Sequence, residues 1–309
     1  MHGNMPRQPT RLTGAPVVKW LLISNIAIFF INMVTTPDGV DFGPLALYGH
    51  FSVAQGLEHG QIWRFLSFQF LHGNMGHLFF NMFALYMFGS FVEQWWGSRK
   101  FIVFYLACGA SGALFYAVLF QVGLFEERLF FMNGQIHGAD YIPLVGASAG
   151  IYACLVAVAV IAPNLQVRLL FPPIPMKMKT FALGVLGIAV VVIFMHWAES
   201  VSGVVRHDIW SNAGGEAGHL GGAILGFILM KNPRLLGFVG EGGIGMKNGS
   251  GGWRRTVDAR VVREKKIRPR THINLSDSEV DKILDKVNRE GIQSLTEKER
   301  EILRRSAAD

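Results

Sequence analysis

Ser148 sits in the run Gly146-Ala147-Ser148-Ala149-Gly150, and His219 in Ala217-Gly218-His219-Leu220-Gly221-Gly222-Ala223-Ile224-Leu225-Gly226. A serine hydroxyl is a weak nucleophile until a neighbouring base takes its proton, and histidine is the commonest such base. Each of these two residues opens an apolar stretch that reads as a membrane-spanning helix. Polar side chains at membrane depth are costly, so they mark functional positions by default. His77 and Asn81 stand at the head of a third such stretch. A nucleophile and a base, each set among glycines, point to chemistry carried out inside a bilayer.

The elements that must position these groups follow from the charge pattern. Residues 20–35, 78–92, 101–122, 147–162, 180–197 and 220–230 contain no Asp, Glu, Lys or Arg. A helix needs about 20 apolar residues to cross a hydrocarbon core, with roughly 17 at the low end. The sequence therefore predicts six spans, two of them shortened by polar starts. Spans two, four and six run in the same direction, so the depths of their polar residues can be compared. At about 1.5 Å per residue, Ser148 lies about 22 Å above Pro163, His219 about 18 Å above Lys231 and Asn81 about 24 Å above Gly97. A hydroxyl, an imidazole and an amide on three separate helices are thus expected at nearly one level. Gly146 and Gly150 around Ser148, and Gly218, Gly222 and Gly226 in span six, are expected to let the helix backbones approach closely.

Sidedness comes from the basic residues. The first terminal segment, the two loops on its side and the last segment hold 3, 2, 3 and 18 Lys/Arg, whereas each opposite loop holds one: Arg64, Arg128 and Arg206. The positive-inside rule then predicts cytoplasmic termini and three external loops. The net charge of +7 is topology and tail, and implies no nucleic-acid partner. Cys108 and Cys154 both lie in apolar segments, so neither a disulfide framework nor a zinc site is signalled, and no cofactor is expected. The first 19 residues lack a cleavable signal pattern.

Four segments result: a cytoplasmic 1–19, a six-helix domain over 20–232, a Gly-rich and basic linker over 233–270, and a small helical hairpin over 271–309. The first external loop, residues 36–76, is long enough to be functional or folded on itself, and its Trp63 and Arg64 could also be interfacial anchors. The basic stretch 254–270 reads as a solvated flank or a contact to anionic lipid. Ser276-Asp277-Ser278-Glu279 and Thr296-Glu297-Lys298-Glu299 read as capping boxes of two short tail helices. The tail carries no catalytic constellation, and its partner is open.

The ordered set of motifs resembles the rhomboid intramembrane serine proteases. It comprises Trp63-Arg64 and His72, then His77-x-x-x-Asn81 with Gly89 and Glu93. Gly146-x-Ser148 with Tyr152 and His219-x-x-Gly222-x-x-x-Gly226 complete it. The resemblance covers about residues 15–232. It implies an all-α, six-transmembrane-helix bundle and a Ser–His dyad without an aspartate. By matching position, Ser148 would be the nucleophile and His219 the base. His77, Asn81 and the Ser148 backbone N–H would form the oxyanion hole, and Tyr152 would pack on the imidazole. Substrates would be transmembrane helices that bend easily, met within membrane lipid. Ala149 departs from the glycine common after the family serine. Two other readings compete. Gly146-x-Ser148-x-Gly150 followed by Asp208 and His219 matches the nucleophile-elbow order of α/β-hydrolases, which requires a strand and a parallel sheet. A rhomboid-like pseudoprotease would bind transmembrane helices without the dyad.

Overall fold

The structure is a computed structural model; it describes residues 12, 14–40, 42–125, 130–168, 173–202, 213–240, 277–290, 292–300 and 302. The chain divides into two units, Met1–Ile244 and Gly245–Asp309.

The first unit is a helical membrane bundle. Helix α1 (Pro16–Thr35) begins with proline, whose missing N–H costs nothing at a helix start. Two of its free N–H groups, on Val17 and Val18, donate to the Glu93 carboxylate at 2.9 and 2.8 Å. Glu93 also accepts from Ser98 Oγ at 2.6 Å, and is 1% exposed. A buried carboxylate is thereby satisfied by a helix terminus, which favours negative charge.

Helix α2 (Pro44–Gly49) and the short α3 (Arg64–Ser67) fold the long first loop onto itself. Arg64 ties it: its Nη1 donates to the carbonyls of Leu47 at 3.0 Å and His50 at 2.6 Å, and its Nε to Gln61 at 2.6 Å. Arg64 is buried, so it is an internal brace of the loop rather than an interfacial anchor. Trp63 remains half-exposed and stacks on Tyr48.

Helix α4 (Met75–Ala84) continues through a π-helical turn, Leu85–Gly89, into α5 (Ser90–Trp96). Gly97, with φ of 80°, then closes the helix and opens α6 (Ser98–Gln121). Beyond a ribbon of β1 (Phe130–Met132) and β2 (Gln135–His137), α7 runs from Ser148 to Ile161. A second antiparallel ribbon, β3 (Gln166–Arg168) with β4 (Pro175–Lys177), leads into α8 (Met178–Ser202). Helix α9 spans Ala213–Lys231.

Among the described residues, four helices are long and apolar enough to cross a membrane: Pro16–Thr35, Met75–Trp96, Ser98–Gln121 and Met178–Ala198. The sequence predicts six spans, and the difference has a physical cause. Helix α7 has 14 residues, about 21 Å, because its N-terminal turn starts at Ser148 instead of continuing upward. Helix α9 is 19 residues long, but Glu216, His219 and its glycines make its first half polar. Both helices pack inside the bundle, against each other and against α6. Among the described residues the only strands are the two short ribbons, so the parallel sheet of the nucleophile-elbow reading is not among them.

In the second unit, α10 spans Asp277–Glu290. Thr296 N–H and Oγ both donate to Glu299, at 2.7 and 2.8 Å, and Glu299 N–H donates to Thr296 Oγ at 3.4 Å. This is the reciprocal capping box expected at Thr296. Lys286 pairs with the same carboxylate at 3.1 Å. The hydrogen bonds from Thr296, aided by Lys286, hold the Glu299 carboxyl down at about 2. Ser276, of the other expected capping box, lies outside the described residues.

Candidate active site

Ser148 is the first residue of α7, and the turn that delivers it depends on Gly146. Gly146 has φ of 128°, which residues with a Cβ rarely adopt. A Cβ there would also stand 2.8 Å from His77 Nε2. Gly146 is thus a turn and close-approach glycine ahead of the helix, not the helix-packing glycine that its spacing to Gly150 suggests. Its N–H donates to the Phe68 carbonyl at 2.9 Å, which fastens the turn to the first loop. As the first helical residue, Ser148 has a backbone N–H with no intrahelical acceptor, at the positive end of the α7 dipole.

The close approach of α7 and α9 rests on small residues. A Cβ on Gly222 would collide with the Ala149 carbonyl, and one on Gly226 would sit 2.8 Å from the Ala153 Cβ. Gly150 instead faces Tyr105 of α6. Where lipid offers no hydrophobic drive between helices, such contact supplies the packing energy. One consequence is that His219 Nε2 lies 2.8 Å from Ser148 Oγ. Another is that the Tyr152 ring stacks on the imidazole, with centroids 4.1 Å apart and planes 16° apart.

The structure adds a residue that the sequence reading did not single out. Glu216 Oε2 lies 2.9 Å from His219 Nδ1. A carboxylate accepting from Nδ1–H leaves Nε2 unprotonated, facing the serine hydroxyl. The usable signal was the i, i+3 spacing of Glu216 and His219, which places the two on one helix face.

Ser148, His219, His77, Asn81 and Tyr152 all line one cavity of about 480 Å³, completed by Phe80, Leu144 and others. Asn81 is 7% exposed, and its Nδ2 is buried without a hydrogen-bond partner. A buried amide donor left open costs about 1–3 kcal/mol, and here its residue lines the cavity that Ser148 also lines. His77 sits in the first turn of α4, whose N-cap Asn74 accepts its backbone N–H at 2.8 Å. Its ring meets that of His72 at 5.0 Å. Burial, with His77 alongside, pushes the His72 imidazole down to about 3. Asp208 lies outside the described residues.

Comparison with known families fits this geometry. The rhomboid domain family matches residues 59–232. The chain belongs to the rhomboid family. The same stretch contains His77, Asn81, Ser148, Tyr152 and His219. Rhomboid protease GluP of Bacillus subtilis is 27% identical over 214 residues, covering 69% of this chain and 34% of that protein. Rhomboid protease AarA of Providencia stuartii is 28% identical over 150 residues, covering 47% and 52%. The chain thus spans about a third and about half of these two relatives. Inactive RHOMBOID-like protein 8 of Arabidopsis thaliana is 41% identical over 63 residues, covering 20% of this chain and 18% of that protein. Residues 255–308 match a family of unknown function, DUF6576. Family membership and the apolar helices make the chain a multi-pass integral membrane protein of rhomboid fold, with protease relatives.

Proposed function

We propose that the chain is an intramembrane serine endopeptidase that cleaves transmembrane helices through Ser148 and His219. The observation that carries this reading is the 2.8 Å contact between Ser148 Oγ and His219 Nε2, beside a cavity of about 480 Å³. As Ser148 Oγ bonds to the scissile carbonyl carbon, its proton passes to His219 Nε2 and the carbonyl π-pair moves onto oxygen. The Asn81 amide, His77 and the Ser148 N–H receive that oxyanion; each such donor is worth roughly 3–4 kcal/mol when preorganised. Collapse breaks the C–N bond, and Nε2 returns the proton to the leaving amine. Water, activated by the same imidazole, then hydrolyses the acyl-enzyme. Tyr152 holds the ring plane by stacking.

An intact transmembrane helix hides its peptide bonds in its own hydrogen bonds. Suitable substrates therefore carry helix-breaking residues near the level of Ser148. Helices α7 and α9 complete a six-helix domain over about residues 20–232, with membrane lipid around it. The basic residues favour cytoplasmic termini and a site opening to the outer side of a bacterial cell membrane. The inactive plant relative keeps a second reading alive, a pseudoprotease that only binds helices, but retention of the Ser148–His219 contact favours the protease. A fluorophosphonate probe applied to the solubilised protein separates them. Covalent labelling that disappears in Ser148→Ala is expected; absence of labelling in folded wild type would leave the binding protein.

A further inference from the structure

We infer that Glu216 is a positioning residue for His219, so that this rhomboid works with a Ser148–His219–Glu216 triad in place of a bare dyad. This rests on the protease reading of the same site. Three observations converge on it. Glu216 Oε2 is 2.9 Å from His219 Nδ1, while the other ring nitrogen is 2.8 Å from Ser148 Oγ. The three groups therefore form one hydrogen-bonded chain, with the base in the middle. The Glu216 and His219 side chains are only 16% and 14% exposed, so the pair is largely removed from competing water. The carboxylate also stands on the same rigid helix as the imidazole, one turn earlier, so no loop movement is needed to form the contact.

The chemistry assigns the carboxylate a specific task. The neutral imidazole can be protonated on either nitrogen, and only the Nδ1–H form can take the serine proton at Nε2. Glu216 accepts from Nδ1–H and so selects that form. When Ser148 adds to the carbonyl and its proton reaches Nε2, the Nδ1–H bond stays intact and the new imidazolium faces a carboxylate. Glu216 is not itself protonated. Tyr152 stacking fixes the plane of the ring, but a ring face cannot choose the tautomer. The two contacts are therefore complementary, not redundant.

The test uses the full chain in proteoliposomes, comparing wild type, Glu216→Gln, Glu216→Asp and Ser148→Ala. Three quantities are read: fluorophosphonate labelling rate, kcat and KM on a transmembrane reporter, and thermal unfolding. Loss of a fully buried triad acid to its amide costs about 10⁴ in kcat. Because this pair keeps some water access, Glu216→Gln is expected to lower kcat and labelling rate roughly 10–100-fold. KM and unfolding temperature should stay near wild type. Glu216→Asp, which keeps the carboxylate, should retain more activity than Glu216→Gln. Nitrogen NMR of labelled histidine should find His219 as the Nδ1–H form in wild type and not in Glu216→Gln. Wild-type labelling and turnover in Glu216→Gln would overturn the inference. So would equal losses in both variants that track a lowered unfolding temperature, which would make Glu216 only an acidic first-turn residue of α9. Failure of wild type itself to label would overturn the protease reading instead, and is read from a separate arm.

Discussion

Glu93 and Ser148 lie at two levels of the bundle, and their surroundings are built on opposite rules. Asn81 and Glu93 on the α4–α5 helix are 12 residues apart, about 18 Å along the axis. At Glu93 a buried carboxylate accepts two backbone N–H groups and one hydroxyl, and borders no cavity described above. Beside Ser148, Asn81 Nδ2 is left without a partner and the neighbouring polar groups border an open space. A satisfied buried polar group adds stability and fixes geometry. An unsatisfied one beside a cavity is a standing cost, which persists where the surrounding fold holds it in place. The contrast separates polar residues that hold the membrane domain together from those that await a substrate.

The sharpest way to break this comparison is at the Ser148 level. Ser148→Ala and His219→Ala are each expected to lower turnover of a transmembrane reporter by about 10⁵–10⁶, with the unfolding temperature unchanged. Turnover clearly above background in either variant would remove the mechanism. Asn81→Ala should cost about 10²–10³ in kcat, as loss of one oxyanion donor does, and should leave the fold as stable or slightly more stable. A variant that unfolds instead would move Asn81 to the structural class.

Glu93→Gln tests the other level. It leaves the N–H groups at the start of α1 with a weaker acceptor, so stability should fall by about 1–3 kcal/mol. Denaturant unfolding measures that loss, while kcat per fluorophosphonate-titrated site should hold. A fall in kcat with stability intact would erase the distinction between the levels. The smallest effects are expected away from both. Asp208→Asn should leave kcat within about twofold of wild type, since Glu216 is the carboxylate beside His219; a loss near the 10⁴ of a triad acid would reinstate Asp208. A chain ending at Gly240 should still cleave the reporter in vesicles. That cut follows Leu236, which is 4% exposed within the core, so an end at Arg234 would remove packing as well as the tail. Lost turnover with labelling retained would show that the tail controls substrate entry.

Much of the domain was legible in the sequence because bilayers impose a coarse code. Uncharged runs mark the helices, and Ser148, His219, His77 and Asn81 stand out by their price in such runs. The first loop was legible from its length as either functional or folded on itself, and α2, α3 and Arg64 show that it folds on itself. The role of Arg64 was not, because two of its three acceptors are the carbonyls of residues 47 and 50, and backbone acceptors carry no side-chain signature. Gly146 was misread as a packing glycine for a similar reason. Its i, i+4 relation to Gly150 looks helical, and only the positive φ reveals that the helix begins two residues later.

The sequence by itself determined the class of the protein, the residues capable of the chemistry and their approximate common depth, since these depend on composition and on rise per residue. Tertiary structure decided which of them touch. The close backbone approach at Gly222 and Ala149 sets the distance between α7 and α9, and the rotation of those helices sets which side chains face the gap. Together they leave 2.8 Å between Ser148 and His219. The Glu216 contact to the far nitrogen of the ring, by contrast, lies within α9 and follows from the i, i+3 spacing. Depth is additive along a helix and can be counted from a sequence; distance across a helix crossing arises from side-chain volumes on both partners at once.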